Sequence, residues 1–184
     1  MTIVCVRGTS GSGKTTLVRE TVSVYNKRED FFKEGRKQPL WMTYYADGKK
    51  PVSVIGHLNS ACGGCDTIKT LDEVFSLVRQ EHNKGHNVIF EGMLLCSDVK
   101  RIAALSEETN DVLIVSLTTS VDQCCDNIRK RRAAKGNDKE LNEKNTRTRF
   151  AYELKQVEKL RAANVDIRAL TYDDSLEAIR RAFN

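Results

Sequence analysis

At 184 residues, with 30 basic against 25 acidic side chains and a net charge of +5, the chain has room for one α/β core. It is too short to hold a motor module and a large partner domain as well. No apolar stretch approaches the ~20 residues that span a bilayer, and the N-terminus reads as strand and loop rather than signal peptide, so a soluble, cytoplasmic protein is expected.

The first apolar run, Ile3-Val4-Cys5-Val6, leads into Gly8-Thr9-Ser10-Gly11-Ser12-Gly13-Lys14-Thr15, a match to G-x-x-x-x-G-K-[ST]. Glycines let a backbone wrap a polyphosphate so that successive N–H groups point inward, and the following helix offers its positive N-terminal end. Lys14 is expected on the terminal phosphates and the Thr15 hydroxyl on magnesium, with Thr16 adjoining them. The helix that follows is expected over about residues 15–27. ATP and Mg2+ are the implied ligands, and a Gly/Ser-rich surface loop is the plainer reading set aside. Six cysteines could signal a disulfide scaffold, but nucleotide chemistry proceeds where thiols stay reduced, so free thiols are expected, with Cys5 in the core.

Further apolar runs follow at Leu40 to Tyr45, Val52 to Ile55, Val88 to Phe90, Val112 to Leu117 and Val165 to Leu170. Trp41, Tyr44 and Tyr45 read as core, with one able to stack a nucleobase if it faces a cleft. The Asp47-Gly48 turn between the second and third runs suggests a small hairpin inserted after the second strand. Amphipathic stretches separate most runs: Leu71, Val74, Phe75 and Val78; Val121, Cys124, Cys125 and Ile128; Phe150, Leu154, Val157 and Leu160. This alternation predicts an α/β fold with a mainly parallel five-stranded sheet sandwiched by helices.

Three stretches could carry chemistry. Residues 56–67, rich in small and polar side chains, read as a loop over an acceptor, with Asp66 a candidate general base and His57 or Asn59 contacting the acceptor; the plain role for Asp66 or Thr67 is to cap the next helix. Cys62-Gly-Gly-Cys65 lacks a second ligand pair for zinc and reads mainly as a tight loop. The strand Asn87-Val88-Ile89-Phe90 ends in Glu91-Gly92, where a carboxylate can hold magnesium or take a proton from the attacking hydroxyl. After Val121, Arg129 and Arg132 are expected over the transferring phosphoryl group. From Arg129 to Arg149 nine basic residues face three acidic ones, a net of +6 that leaves −1 for the rest of the chain. Such a segment handles a polyanion: the ATP phosphates alone, or those and a nucleic-acid backbone.

With the phosphate loop, Glu91 and the arginine helix in this order, the chain resembles the small P-loop kinases of the nucleoside-monophosphate-kinase-like group. The resemblance implies a P-loop NTPase fold in one domain over residues 1–184, with a lid at about 129–148 that closes over ATP. Lys144, Arg147 and Arg149 would lie on its return arm, although the spacing of the basic residues does not reproduce one subfamily's lid motif. More specifically, the small size, the 56–67 loop joined to the V-I-F-E-G strand, and the basic lid are similar to bacteriophage kinases that phosphorylate 5-hydroxymethyluracil in DNA. Catalytic roles then fall to Lys14, Glu91 or Asp66, Arg129 and Arg132, and the partner would be a nucleotide or DNA acceptor. A kinase for free nucleosides or nucleoside monophosphates, and an NTP-driven switch, are the alternative expectations.

Overall fold

The computed structural model describes residues 1–60, 64–93, 95, 98–137 and 139–184. One sheet organises the described residues, with seven strands: β1 (Ile3–Arg7), β2 (Lys27–Phe31), β3 (Trp41–Tyr45), β4 (Val52–Ile55), β5 (Asn87–Glu91), β6 (Val112–Leu117) and β7 (Ile167–Leu170). Their order across the sheet is β2-β3-β4-β5-β1-β6-β7. Neighbours from β4 through β7 pair in parallel, whereas β3 runs antiparallel to both β2 and β4.

The expected count of five strands is therefore corrected to seven. The Asp47-Gly48 hairpin is no separate insert: its second strand, β4, pairs in parallel with β5 from Val52↔Asn87 to Ile55↔Phe90 and belongs to the core sheet. Strand β2 escapes the apolar pattern because Lys27-Arg28-Glu29-Asp30 are all charged. That composition suits an edge strand, where charge discourages pairing with another chain, and it starts where the first helix was expected to continue.

Among the described residues six α-helices cover the sheet: α1 (Lys14–Val22), α2 (Leu71–Asn83), α3 (Val99–Thr109), α4 (Val121–Ala133), α5 (Glu143–Ala162) and α6 (Tyr172–Phe183). Central strands are buried on both faces, so their residues alternate between two apolar layers. Ile3, Cys5, Val88, Phe90 and Ile114 meet Val74, Phe75, Val78, Ile102, Leu105 and Leu160 from α2, α3 and α5. Val4, Val6, Ile89, Leu113 and Val115 meet Leu17, Val18, Val22, Leu176, Ile179 and Phe183 from α1 and α6. Helix starts are fixed by side-chain caps, for example Thr70, whose Oγ1 accepts from Glu73 N–H at 3.2 Å, and Ser120, which does the same for Gln123. Thr70, not Asp66 or Thr67, caps α2. Among the described residues no helix is long and apolar enough to cross a membrane.

The strand directions gather the functional candidates. The C-terminal ends of β1, β4, β5 and β6 lie along one edge, and from it leave the 8–13 loop, the 56–70 segment, the loop after Glu91 and the approach to α4. In an open parallel sheet this is the edge where ligands bind.

Candidate active site

Residues 8–13 join β1 to α1, and Gly13, with φ of 99°, caps the helix in a left-handed conformation. Two neighbouring elements brace the loop from behind: Asn127 Nδ2 donates to Gly11 O at 2.8 Å, and Thr119 Oγ1 donates to Ser12 O at 2.9 Å. Gly11 is required here, since its φ is +84° and a Cβ would sit 2.3 Å from the Cys124 carbonyl oxygen.

Lys14 is buried, and its Nζ donates to the carbonyls of Gly8 at 2.8 Å and Thr9 at 3.1 Å. The ammonium thus curls over its own loop. Thr9 Oγ1 and Ser12 Oγ are buried without a hydrogen-bond partner, which is costly unless a ligand satisfies them. The loop therefore fits a phosphate chain by three independent features: a curved backbone, a cation over it and orphaned hydroxyls.

Thr15 Oγ1 donates to Glu91 Oε1 at 2.8 Å, bringing together two residues 76 positions apart in the chain. The contact arises because β5 is β1's neighbour, pairing Val6 with Glu91. Burial holds the Glu91 carboxyl above the usual carboxylate range, against the opposing pull of Lys14 and the Thr15 hydrogen bond; Asp66 pushes it further up. A hydroxyl and a buried carboxylate in contact form a hard-oxygen pair suited to magnesium. Close approach is possible because residue 64 is glycine: at φ +68°, a Cβ there would lie 2.6 Å from Glu91 Oε1.

Asp66 lies on a 3-10 turn, Cys65–Thr67, and its Oδ2 accepts from the Met93 N–H at 2.8 Å. Its Oδ1 is so near Gly92 that a Cβ there would come within 2.9 Å. The two acids thus flank the same pair of glycine-bearing turns. The 56–60 segment is tied down by Arg19 of α1, which donates to Leu58 O and Ser60 O. His57 is buried, its Nδ1 accepts from Asn59 N–H at 3.3 Å, and burial lowers its pKa. Asn59 itself donates to Gln38. Both serve the loop's shape.

Cys62 lies outside the described residues. Cys65 is buried, its thiol donates to Ile55 O at 3.5 Å, and burial pushes its pKa well up, so it is a neutral thiol in the core. Cys124 is similarly raised, to about 11. No group of three or more His, Cys, Asp or Glu side chains suited to a metal occurs among the described residues. Trp41 stacks on Phe31 with centroids 4.6 Å apart, Tyr44 is buried, and the Tyr45 hydroxyl donates to Glu29.

The expected lid segment comprises the last turns of α4, the connection 134–142 and the first turns of α5. Arg129 pairs with Asp126 and Glu143, while Arg132 Nη1 donates to the carbonyls of Lys139 and Glu140, both at 3.1 Å. Arg147 joins Glu143 and Asp122. These guanidinium groups fasten the two arms to each other. Toward the phosphate loop the structure brings Arg131 instead, with Nη2 3.4 Å from Ser10 Oγ. A small crevice beside the loop is lined by Thr9, Met93, Arg149, Tyr152 and Glu153.

Sequence reasoning missed Arg7 and Glu153. Arg7, wholly buried at the end of β1, donates from Nε to Glu153 Oε1 at 2.9 Å and from Nη1 to Leu95 O at 3.2 Å. It joins the strand before the phosphate loop, the segment after Glu91 and helix α5. A charged residue closing an apolar run directly before Gly8 was the available signal. The pair also explains why Leu154, expected on the buried face of α5, is 53% exposed while Glu153 is 5% exposed: the helix turns to give the buried arginine its counter-charge.

Comparison with known proteins gives the class first: the chain is 39% identical over 180 residues, 97% of its own length and 95% of its relative's, to a phage kinase. That relative is the 5-hmdU DNA kinase of Pseudomonas phage PaMx11, and the chain belongs to the same family. No family model matches the sequence.

Proposed function

We propose that the protein is an ATP-dependent P-loop kinase, one domain over residues 1–184 with a lid at about 129–148, that phosphorylates the hydroxymethyl group of 5-hydroxymethyluracil in phage DNA. It would work in the host cytoplasm, where ATP and phage DNA meet. The observation that carries the reading is the junction of the 8–15 loop with Glu91, through the 2.8 Å Thr15–Glu91 hydrogen bond, in a chain 39% identical to a kinase of that name.

In this reading the loop amides from Gly8 to Thr16 cradle the β- and γ-phosphates, and Lys14 leaves its two carbonyls to meet them. Thr15 and Glu91 would hold magnesium, which would supply positive charge to the phosphates when bound. Asp66 takes the role of base, because Glu91 is already engaged with Thr15 while Asp66 is fixed by the Met93 amide one turn away. The acceptor oxygen forms a bond to the γ-phosphorus as the bond to the β–γ bridging oxygen breaks. ADP departs with that electron pair, and the hydroxyl proton passes to Asp66. Arg131, with Arg129 and Arg132 brought inward on lid closure, offsets the migrating charge, and closure keeps water from competing as acceptor. Exposed Lys130, Lys135, Lys139 and Lys144 on the lid arms suit a DNA backbone.

The test is transfer of labelled phosphate from ATP to free nucleosides and monophosphates, plain DNA, and DNA carrying 5-hydroxymethyluracil. Label on the modified DNA alone is expected. Label on free nucleotides would make this a metabolic kinase, and ATP hydrolysis with no acceptor labelled would favour a switch.

A further inference from the structure

An enzyme that draws a base out of its stack must receive it on a surface beside the reactive group. A crevice beside the phosphate loop, too small to enclose a base, marks at its mouth where such a surface would lie. One wall is Thr9 of the loop, whose buried Oγ1 has no hydrogen-bond partner, and another is Met93, two residues beyond Glu91 and bonded through its amide to Asp66. Helix α5 also lines it, with Tyr152, the buried Glu153 and, one turn earlier, Arg149. Tyr152 is 41% exposed, a large aromatic surface left in solvent at the edge where the reaction occurs. Its backbone is nonetheless held firmly, because the next residue, Glu153, is clamped by the buried Arg7.

We propose that Tyr152 is the platform on which the extruded acceptor base stacks, with Arg149 gripping the adjacent backbone phosphate. The inference rests on the DNA-kinase reading above and extends it to the residues that select the acceptor. An aromatic face accepts a pyrimidine irrespective of its hydrogen-bonding edge, and a guanidinium meets phosphate with paired donors. Because α5 is also the return arm of the lid, acceptor binding and lid position would share one rigid helix.

The test measures acceptor and ATP kinetics for Y152A, Y152F and, as a control on the same helix, L154A, together with photocrosslinking of the wild-type protein to an oligonucleotide carrying 5-iodouracil at the target position. The expected result is a KM for modified DNA raised about 10- to 100-fold in Y152A. The ATP KM should be unchanged, Y152F and L154A should resemble wild type, and the crosslink should map to Tyr152. A Y152A enzyme with wild-type acceptor KM, a Y152F enzyme as impaired as Y152A, or a crosslink at the exposed Phe32 would overturn it. Should wild-type protein label no DNA at all, the DNA-kinase reading itself fails; should it label DNA while Y152A is unaffected, only the Tyr152 assignment does.

Discussion

Glu81 and Glu91 are both buried carboxylates beside the same sheet, and their surroundings push them in opposite directions. Glu81, on α2, accepts from Ser53 Oγ at 2.8 Å, Lys84 Nζ at 2.5 Å and His86 Nδ1 at 3.2 Å. Burial raises its pKa, but Lys84, Ser53 and His86 together outweigh burial and leave it below the usual range. Glu91 has Thr15 as its side-chain donor among the described residues, while the nearby Lys14 spends its hydrogen bonds on Gly8 and Thr9, and its pKa is raised. A buried carboxylate whose donors are all supplied by the protein stabilises the fold. One left short of positive charge carries a cost on ionisation that its neighbours do not fully offset.

The sharpest way to break this comparison is Glu91→Gln. Turnover should fall 10³- to 10⁴-fold, in line with the loss of a catalytic or metal-side carboxylate, while the melting temperature holds or rises because a strained charge has gone. A marked loss of thermal stability would place Glu91 with Glu81 as a structural acid. Next comes Glu153→Ala, which leaves Arg7 buried without its counter-charge and should cost about 3–5 kcal/mol in chemical denaturation. A cost under about 1 kcal/mol would mean that the pair is solvated. Glu81→Gln should cost about 1–3 kcal/mol by the same measurement with turnover nearly unchanged.

The pH dependence separates the two acids by sign. Glu81 contributes stability above its unfolded pKa, and that contribution is lost as pH falls through its depressed folded value. Glu91, raised in the fold, costs stability when ionised, and acidification through its folded value relieves that cost. The acid limb of kcat/KM for ATP should accordingly lie above the ~4.3 of an ordinary glutamate, and its midpoint is read from a pH–rate profile. The smallest effect concerns the basic end of α4: Arg131→Ala should lower kcat/KM for ATP about tenfold, more than Arg129→Ala, because Arg131 reaches Ser10 whereas Arg129 is held by Asp126 and Glu143.

What could be read in advance depended on how local each signal was. The strand and helix start around Gly8 to Thr15 and the strand ending at Glu91 carry their pattern in consecutive residues and stand where expected, although α1 ends at Val22 rather than near residue 27. Strand β2 was not legible, because four charged residues in a row carry no apolar alternation and only β3 supplies the partner, from Lys27↔Tyr45 to Phe31↔Trp41. The arginines of α4 could not be told apart for another reason: Arg129, Arg131 and Arg132 are alike in sequence, and only the positions of Glu143, Ser10 and the 139–140 carbonyls distinguish them. Arg7–Glu153 joins residues 146 apart, and Tyr152 gains meaning only through the loop it faces.

The chain has a single tryptophan, and Trp41 lies against Phe31 in the outermost strand pairing with Lys84 Nζ 5.5 Å from its ring centroid. Intrinsic fluorescence therefore reports on one margin of the sheet, whereas far-ultraviolet dichroism averages over all six helices. If the polar strand β2 opens before the parallel core, the emission midpoint in a urea titration precedes the dichroic one, and the gap between the two curves measures the free energy of local fraying apart from that of global unfolding.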